Sequence, residues 1–153
     1  MNLPKNIPKD LSELLQVMAT DFPAILSGNL VGIYLWGSLT YEAFDESCSD
    51  VDCIGVTRRD LDDREFSELD EWFKNKGENN RWVRRIDMRF VIDHEFLDKR
   101  SRCCGFYHYT GKLVRSWIGW KPHHLDEYWE VRHYAVGPER EDDRAAGVPP
   151  MPH

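Results

Sequence analysis

Apolar positions in the first thirty residues repeat with the period of an α-helix, with Leu11, Leu14, Leu15, Met18 and Phe22 at i, i+3, i+4, i+7 and i+11. Asp10 and Glu13 have capping-box spacing at its start, and Phe22-Pro23 is expected to close it. After a turn at Ser27-Gly28-Asn29, Leu30 to Trp36 is an unbroken apolar run of strand length. Such a run suits a strand covered on both faces, and it stops at Gly37-Ser38. A polar, acidic stretch from Thr40 to Ser49 leads to a second short strand, Asp50 to Val56. In it Asp50, Asp52 and Ile54 alternate with Val51, Cys53 and Gly55. The spacing then predicts a helix from Asp62 to Lys76, carrying Phe66, Leu69, Trp72 and Phe73 and stopped by Gly77. The cleanest alternation follows: Ile86, Met88, Phe90 and Ile92 share one face of a strand, and Arg85, Asp87, Arg89 and Val91 share the other.

From Phe106 to Trp120 the chain is aromatic and basic without a firm period, and a hairpin is expected around Thr110-Gly111. Leu125 to Arg132 reads as a short helix and His133 to Val136 as a short strand. The expected organisation is one domain over residues 1–138 and a charged, Pro-rich, mobile tail over 139–153.

Composition narrows the functional classes. With 41% hydrophobic and 12% aromatic residues, the 153-residue chain can bury a core. Twenty Lys and Arg against twenty-seven Asp and Glu leave a net charge of −7, which counts against nucleic acid as a partner. No apolar run approaches the roughly 18–20 residues that cross a bilayer, and the first residues lack a signal-peptide core. Cys48, Cys53, Cys103 and Cys104 form no CxxC pair, so a cytoplasmic location is expected.

The chemistry concentrates in Trp36-Gly37-Ser38, eleven residues (39 to 49), then Asp50-Val51-Asp52-Cys53. A glycine ending a buried strand lets the backbone approach a ligand, and amides at a following helix start can cradle phosphate oxygens, with the Ser38 hydroxyl as a further donor. Two aspartates at i and i+2 of a strand point the same way, so Asp50 and Asp52 can share divalent cations. A two-metal site needs a third carboxylate, and Asp87, on the polar face of its strand, is the candidate.

On these residues the chain resembles the nucleotidyltransferase superfamily that includes DNA polymerase beta, and within it the N-terminal domain of the aminoglycoside adenylyltransferases. Its pattern is a hydrophobic residue, Gly, Gly or Ser, a spacer, then Asp-hydrophobic-Asp/Glu-hydrophobic and a later acid. Trp36-Gly37-Ser38, Asp50-Val51-Asp52-Cys53 and Asp87 supply every element. Ser49 completes an SDxD form, and His133-Tyr134-Ala135-Val136-Gly137-Pro138 looks like the strand and Gly-Pro turn that follow in the antibiotic-modifying members. The resemblance implies an α/β (α+β) fold, a mixed β-sheet flanked by helices. It also implies Mg²⁺, two ions, held by Asp50, Asp52 and Asp87, with Gly37, Ser38 and Ser49 on the nucleotide. The implied reaction moves a nucleoside monophosphate, AMP from ATP, to a hydroxyl of a small acceptor such as an aminosugar. The alternatives are a minimal enzyme acting on or with a helical partner protein, and an inactive nucleotide-binding remnant. A homodimer is one way to complete the acceptor cleft.

Other residues read more plainly. Arg58, Arg85 and Arg89 could neutralise triphosphate charge, although basic residues at strand ends are more often only solvated. His123-His124 lack zinc-ligand spacing, Cys103-Cys104 lack disulfide geometry, and Trp117, Trp120, Tyr128 and Trp129 read as core before they read as a stacking site.

Overall fold

A stripe of Leu11, Leu14, Leu15, Met18, Phe22 and Leu26, all buried, defines helix α1 (Lys9–Leu26) in the computed structural model, which describes residues 7–36, 45–93, 103–108, 112–115 and 134–136. Two details differ from the sequence expectation. The N-cap is Pro8, with no side-chain cap, and Asp10 instead lies in the first turn and receives Arg81 Nε at 2.9 Å. The helix also runs through Pro23 to Leu26, where the Ser27 N–H closes on the Pro23 carbonyl. An internal proline costs about 3 kcal/mol, but burying Phe22 and Leu26 returns about 1.5–3 kcal/mol each, so tertiary packing carries the helix past it.

A 3₁₀ turn at Ser27–Asn29 delivers the chain into strand β1 (Leu30–Trp36), as expected. Strand β2 (Val51–Thr57) follows, and Asp50 lies immediately before it. Helix α2 (Asp63–Asn79) carries the capping box: the Glu65 N–H donates to Asp62 Oδ1 at 2.7 Å, and the Asp62 N–H donates to Glu65 Oε1 at 2.9 Å. Gly77 does not stop α2; the helix ends at Asn80, whose side chain takes the Trp82 N–H. A 3₁₀ turn, Val83–Arg85, then enters β3 (Ile86–Ile92). Strands β4 (Cys103–His108) and β5 (Leu113–Val114) pair antiparallel, as the expected hairpin requires, and β6 (Tyr134–Val136) confirms the last short strand. The expected helix at Leu125–Arg132 and the tail lie outside the described residues.

The sheet order is β5-β4-β3-β2-β1-β6. Neighbours run antiparallel except β2 and β3, which are parallel and joined through α2. This is a mixed sheet of the α+β kind, with α1 and α2 packed on the face formed by Ile33, Leu35, Val51, Cys53, Ile86, Met88 and Phe90. Phe90 stands in register between Gly55 of β2 and Gly105 of β4, and a Cβ at Gly55 would come within 2.7 Å of its ring. Phe73 of α2 stacks on Tyr107 of β4 at 4.1 Å, and Phe22 meets Trp72 edge-on at 4.7 Å. Tyr34, Ile54, Val56 and Val91, on the other face, are buried as well, so the face of β3 read as polar is closed except around Asp52, Asp87 and Arg89. Among the described residues no helix is long and apolar enough to cross a membrane.

Candidate active site

Parallel pairing of β2 and β3 sets Asp52 directly beside Asp87 in register. Residues opposite one another on adjacent parallel strands project to the same face, and the strands lie about 4.8 Å apart, so the two carboxylates share one small volume. Backbone register extends the row to Trp36 of β1 and His108 of β4. The row crosses the sheet where β1 ends and β2 and β3 begin.

The electrostatics of this corner are strained. The Asp52 carboxyl is pushed up to about 7, first by burial and then by the negative charges of Asp87 and Asp50, while Arg89 pulls the other way. Arg89 Nη1 lies 3.1 Å from Asp87 Oδ1, an ion pair within one strand face that sets how the Asp87 carboxylate is turned. Asp87 is 9% exposed, and Asp50 and Asp52 are half-buried. Oxygen-only donors crowded into a partly dry corner suit a hard divalent cation, whose charge would relieve the repulsion. Among the described residues no group of three or more His, Cys, Asp or Glu side chains is placed so that it could hold a metal ion. The geometry thus joins Asp52 to Asp87 and brings Asp50 close enough to raise Asp52. Cys53, on the opposite face of β2, is a fully buried thiol pushed well above its usual range by desolvation.

The remaining nucleotide candidates divide. Gly37 and Ser38 lie outside the described residues. Ser49 is placed: its Oγ accepts the Asp45 N–H at 2.8 Å and its own N–H donates to the Asp45 carbonyl at 2.8 Å. Asp45 Oδ1 in turn takes the Ser47 N–H at 2.9 Å and the Ser47 hydroxyl at 2.6 Å, which holds the Asp45 carboxyl below its usual range. Residues 45–49 are therefore a folded turn, signalled in the sequence by Asp45, Ser47 and Ser49 at alternate positions, a pattern that favours Asx turns.

Of the three arginines, Arg58 follows β2 at its far end, roughly 20 Å of extended chain from Asp52, and donates Nε to the Gly28 carbonyl, so it is removed from the site. Arg89 serves Asp87. Arg85 turns to the 45–49 turn, with Nη1 on the Glu46 carbonyl at 2.6 Å and Nη2 on the carbonyls of Asp45 and Ser49. Residue spacing alone carried no signal for these contacts, because their partners lie some 36 to 40 positions away.

This mixed sheet, with Asp52 and Asp87 side by side on its central parallel strands, shares its fold with a solved structure. The chain matches spectinomycin adenyltransferase AAD(9) from Enterococcus faecialis, in a crystal structure with ATP and spectinomycin. The match has a TM-score of 0.61 at 16% identity and covers 94% of this chain and 60% of that one. The chain thus spans about 60% of the length of the structure it matches. No family model and no curated protein matches the sequence.

Proposed function

We propose that this chain is a Mg²⁺-dependent nucleotidyltransferase that moves AMP from ATP to a hydroxyl of a small, aminosugar-like acceptor. The observation that carries this reading is the registered pair of Asp52 and Asp87 with Asp50 beside it, on a fold shared with an enzyme crystallised with ATP and spectinomycin.

In this reading Asp50, Asp52 and Asp87 hold the cation, and Gly37, Ser38 and Ser49 lie along the triphosphate. Bound Mg²⁺ supplies charge stabilisation for the attacking oxygen and for the departing pyrophosphate. The acceptor oxygen bonds to the α-phosphorus as the bond to the β-phosphate oxygen breaks in line, and the hydroxyl proton passes to solvent. Arg89 keeps the Asp87 carboxylate turned toward this space, and the burial of Asp52 strengthens every charge interaction in it.

Calorimetric titration of ATP with Mg²⁺, and again with EDTA, tests the reading, with the Asp50→Ala, Asp52→Ala double variant as control. Expected are metal-dependent binding by the wild type, its loss in the double variant, and a melting temperature that shows the variant is folded. Absence of binding in the wild type would point to a remnant that has lost the nucleotide site, or to a site that only a partner completes. If binding is seen, transfer assays with aminosugars and with helical partner proteins separate the two kinds of acceptor.

A further inference from the structure

One side chain physically links the two segments that carry the candidate acids. Arg85 is the last residue before β3, two positions from Asp87, and its N–H is fixed on the Trp82 carbonyl at 2.9 Å. Its guanidinium lies 4.6 Å over the ring of Trp82, which is fully buried, so the arm leaves the core in a set direction. From there it donates to the carbonyls of Asp45, Glu46 and Ser49. The Ser49 carbonyl belongs to the same planar peptide as the Asp50 N–H, so holding that oxygen fixes the plane from which Asp50 departs.

We propose that Arg85 is a positioning residue that clamps the 45–49 turn and so presents Asp50 to the space shared by Asp52 and Asp87, a role that rests on the nucleotidyltransferase reading above. A guanidinium fits this task because its donors form a rigid fork that can span several acceptors, which a lysine ammonium cannot reproduce. Arg81 braces the same turn differently. It bonds side chain to side chain, to Glu46 Oε1 at 2.7 Å and Asp10 Oδ2 at 2.9 Å, with its guanidinium 4.3 Å from the Trp82 ring, and leaves the backbone next to Asp50 to Arg85.

The test combines hydrogen exchange of the free protein with Mg²⁺-ATP titration, for the wild type, Arg85→Gln, Arg85→Lys and Arg81→Gln. In Arg85→Gln the Cys48 and Ser49 amides should exchange about tenfold faster, as expected for the loss of charge-assisted hydrogen bonds, while α2 amides stay as they were. Mg²⁺-dependent ATP affinity should fall about tenfold in the same variant, be partly recovered in Arg85→Lys and stay within about twofold of wild type in Arg81→Gln. A merely structural arginine would instead lower protection throughout α2 and lower the melting temperature without touching the metal-dependent part of binding. Unchanged exchange at Cys48 and Ser49 overturns the clamp, and faster exchange with unchanged ATP affinity overturns its positioning role. Wild-type protein that binds no ATP overturns the nucleotidyltransferase reading instead, and the exchange arm still decides the clamp.

Discussion

The two ends of β2 treat buried carboxylates in opposite ways. At the far end Glu65 is fully buried and surrounded by donors: Arg59 Nη1 at 2.8 Å, the Asp62 N–H at 2.9 Å and Asn29 Nδ2 at 3.2 Å. Asn29 is in turn fixed by the Arg58 and Arg59 N–H groups on its Oδ1, so the network joins the turn before β1, the end of β2 and the start of α2. At the near end Asp52 has acids for neighbours on both sides and one arginine opposing them. A satisfied buried charge holds the fold together, whereas a crowded one works against it and persists where a ligand can relieve it. The contrast supports the proposal that places the site at the near end.

The largest effect should come from emptying the satisfied end. Glu65→Gln leaves the Asp62 N–H and Asn29 with an uncharged acceptor and releases the half-exposed Arg59 to water, and it should cost about 2–3 kcal/mol, the worth of hydrogen bonds to a buried charge, in urea unfolding at pH 6 and pH 8 alike. A loss below 1 kcal/mol would make the two ends equivalent and remove the contrast (about that much being the net worth of an ordinary hydrogen bond).

Asp52→Asn should do the reverse. A carboxyl raised from 3.8 to about 7 binds its proton more tightly in the folded state. Its stabilising contribution is therefore complete below the unfolded value and is lost as pH rises through about 7. In EDTA the variant should match wild type near pH 4 and exceed it by about 1–3 kcal/mol at pH 8, while losing the proposed transfer activity. Equal stability at both pH values would show that Asp52 is not crowded.

The smallest effect should come from Arg64→Ala. Its pair with Glu68 is as short as 2.7 Å, yet both side chains are about half exposed, so the change should stay within about 0.5 kcal/mol in the same unfolding assay. Proximity of charges does not decide their worth; the water left around them does.

Much of the candidate site was readable because strands project their side chains with a period of two. Asp50 and Asp52 alternate with Val51 and Cys53, and Asp87 alternates with Ile86 and Met88, so all three acids could be placed on one kind of face before any pairing was known. The limits of β1 were equally plain, because an apolar run bounded by Gly28-Asn29 and Gly37 has one reading. The helix ends were not. Pro23 and Gly77 are local stop signals, and each was overridden: Phe22 and Leu26 bury beyond the first, and the Asn80 turn governs the second. The capping-box spacing of Asp10 and Glu13 goes unused, because α1 is capped at Pro8 and Asp10, already inside the helix, pairs with Arg81; the box forms at Asp62 and Glu65 of α2 instead.

What the sequence determined by itself is therefore periodic and local: which residues alternate, where the apolar runs lie, and which acids share a face. Tertiary structure alone decided the parallel register that sets Asp52 against Asp87 and the burial that raises Asp52. It also decided the reach of Arg85 across to the 45–49 turn. Each of these depends on contacts between residues some thirty to forty positions apart, and such contacts are chosen by the packing of the whole sheet on α1 and α2 rather than by any neighbour in the chain.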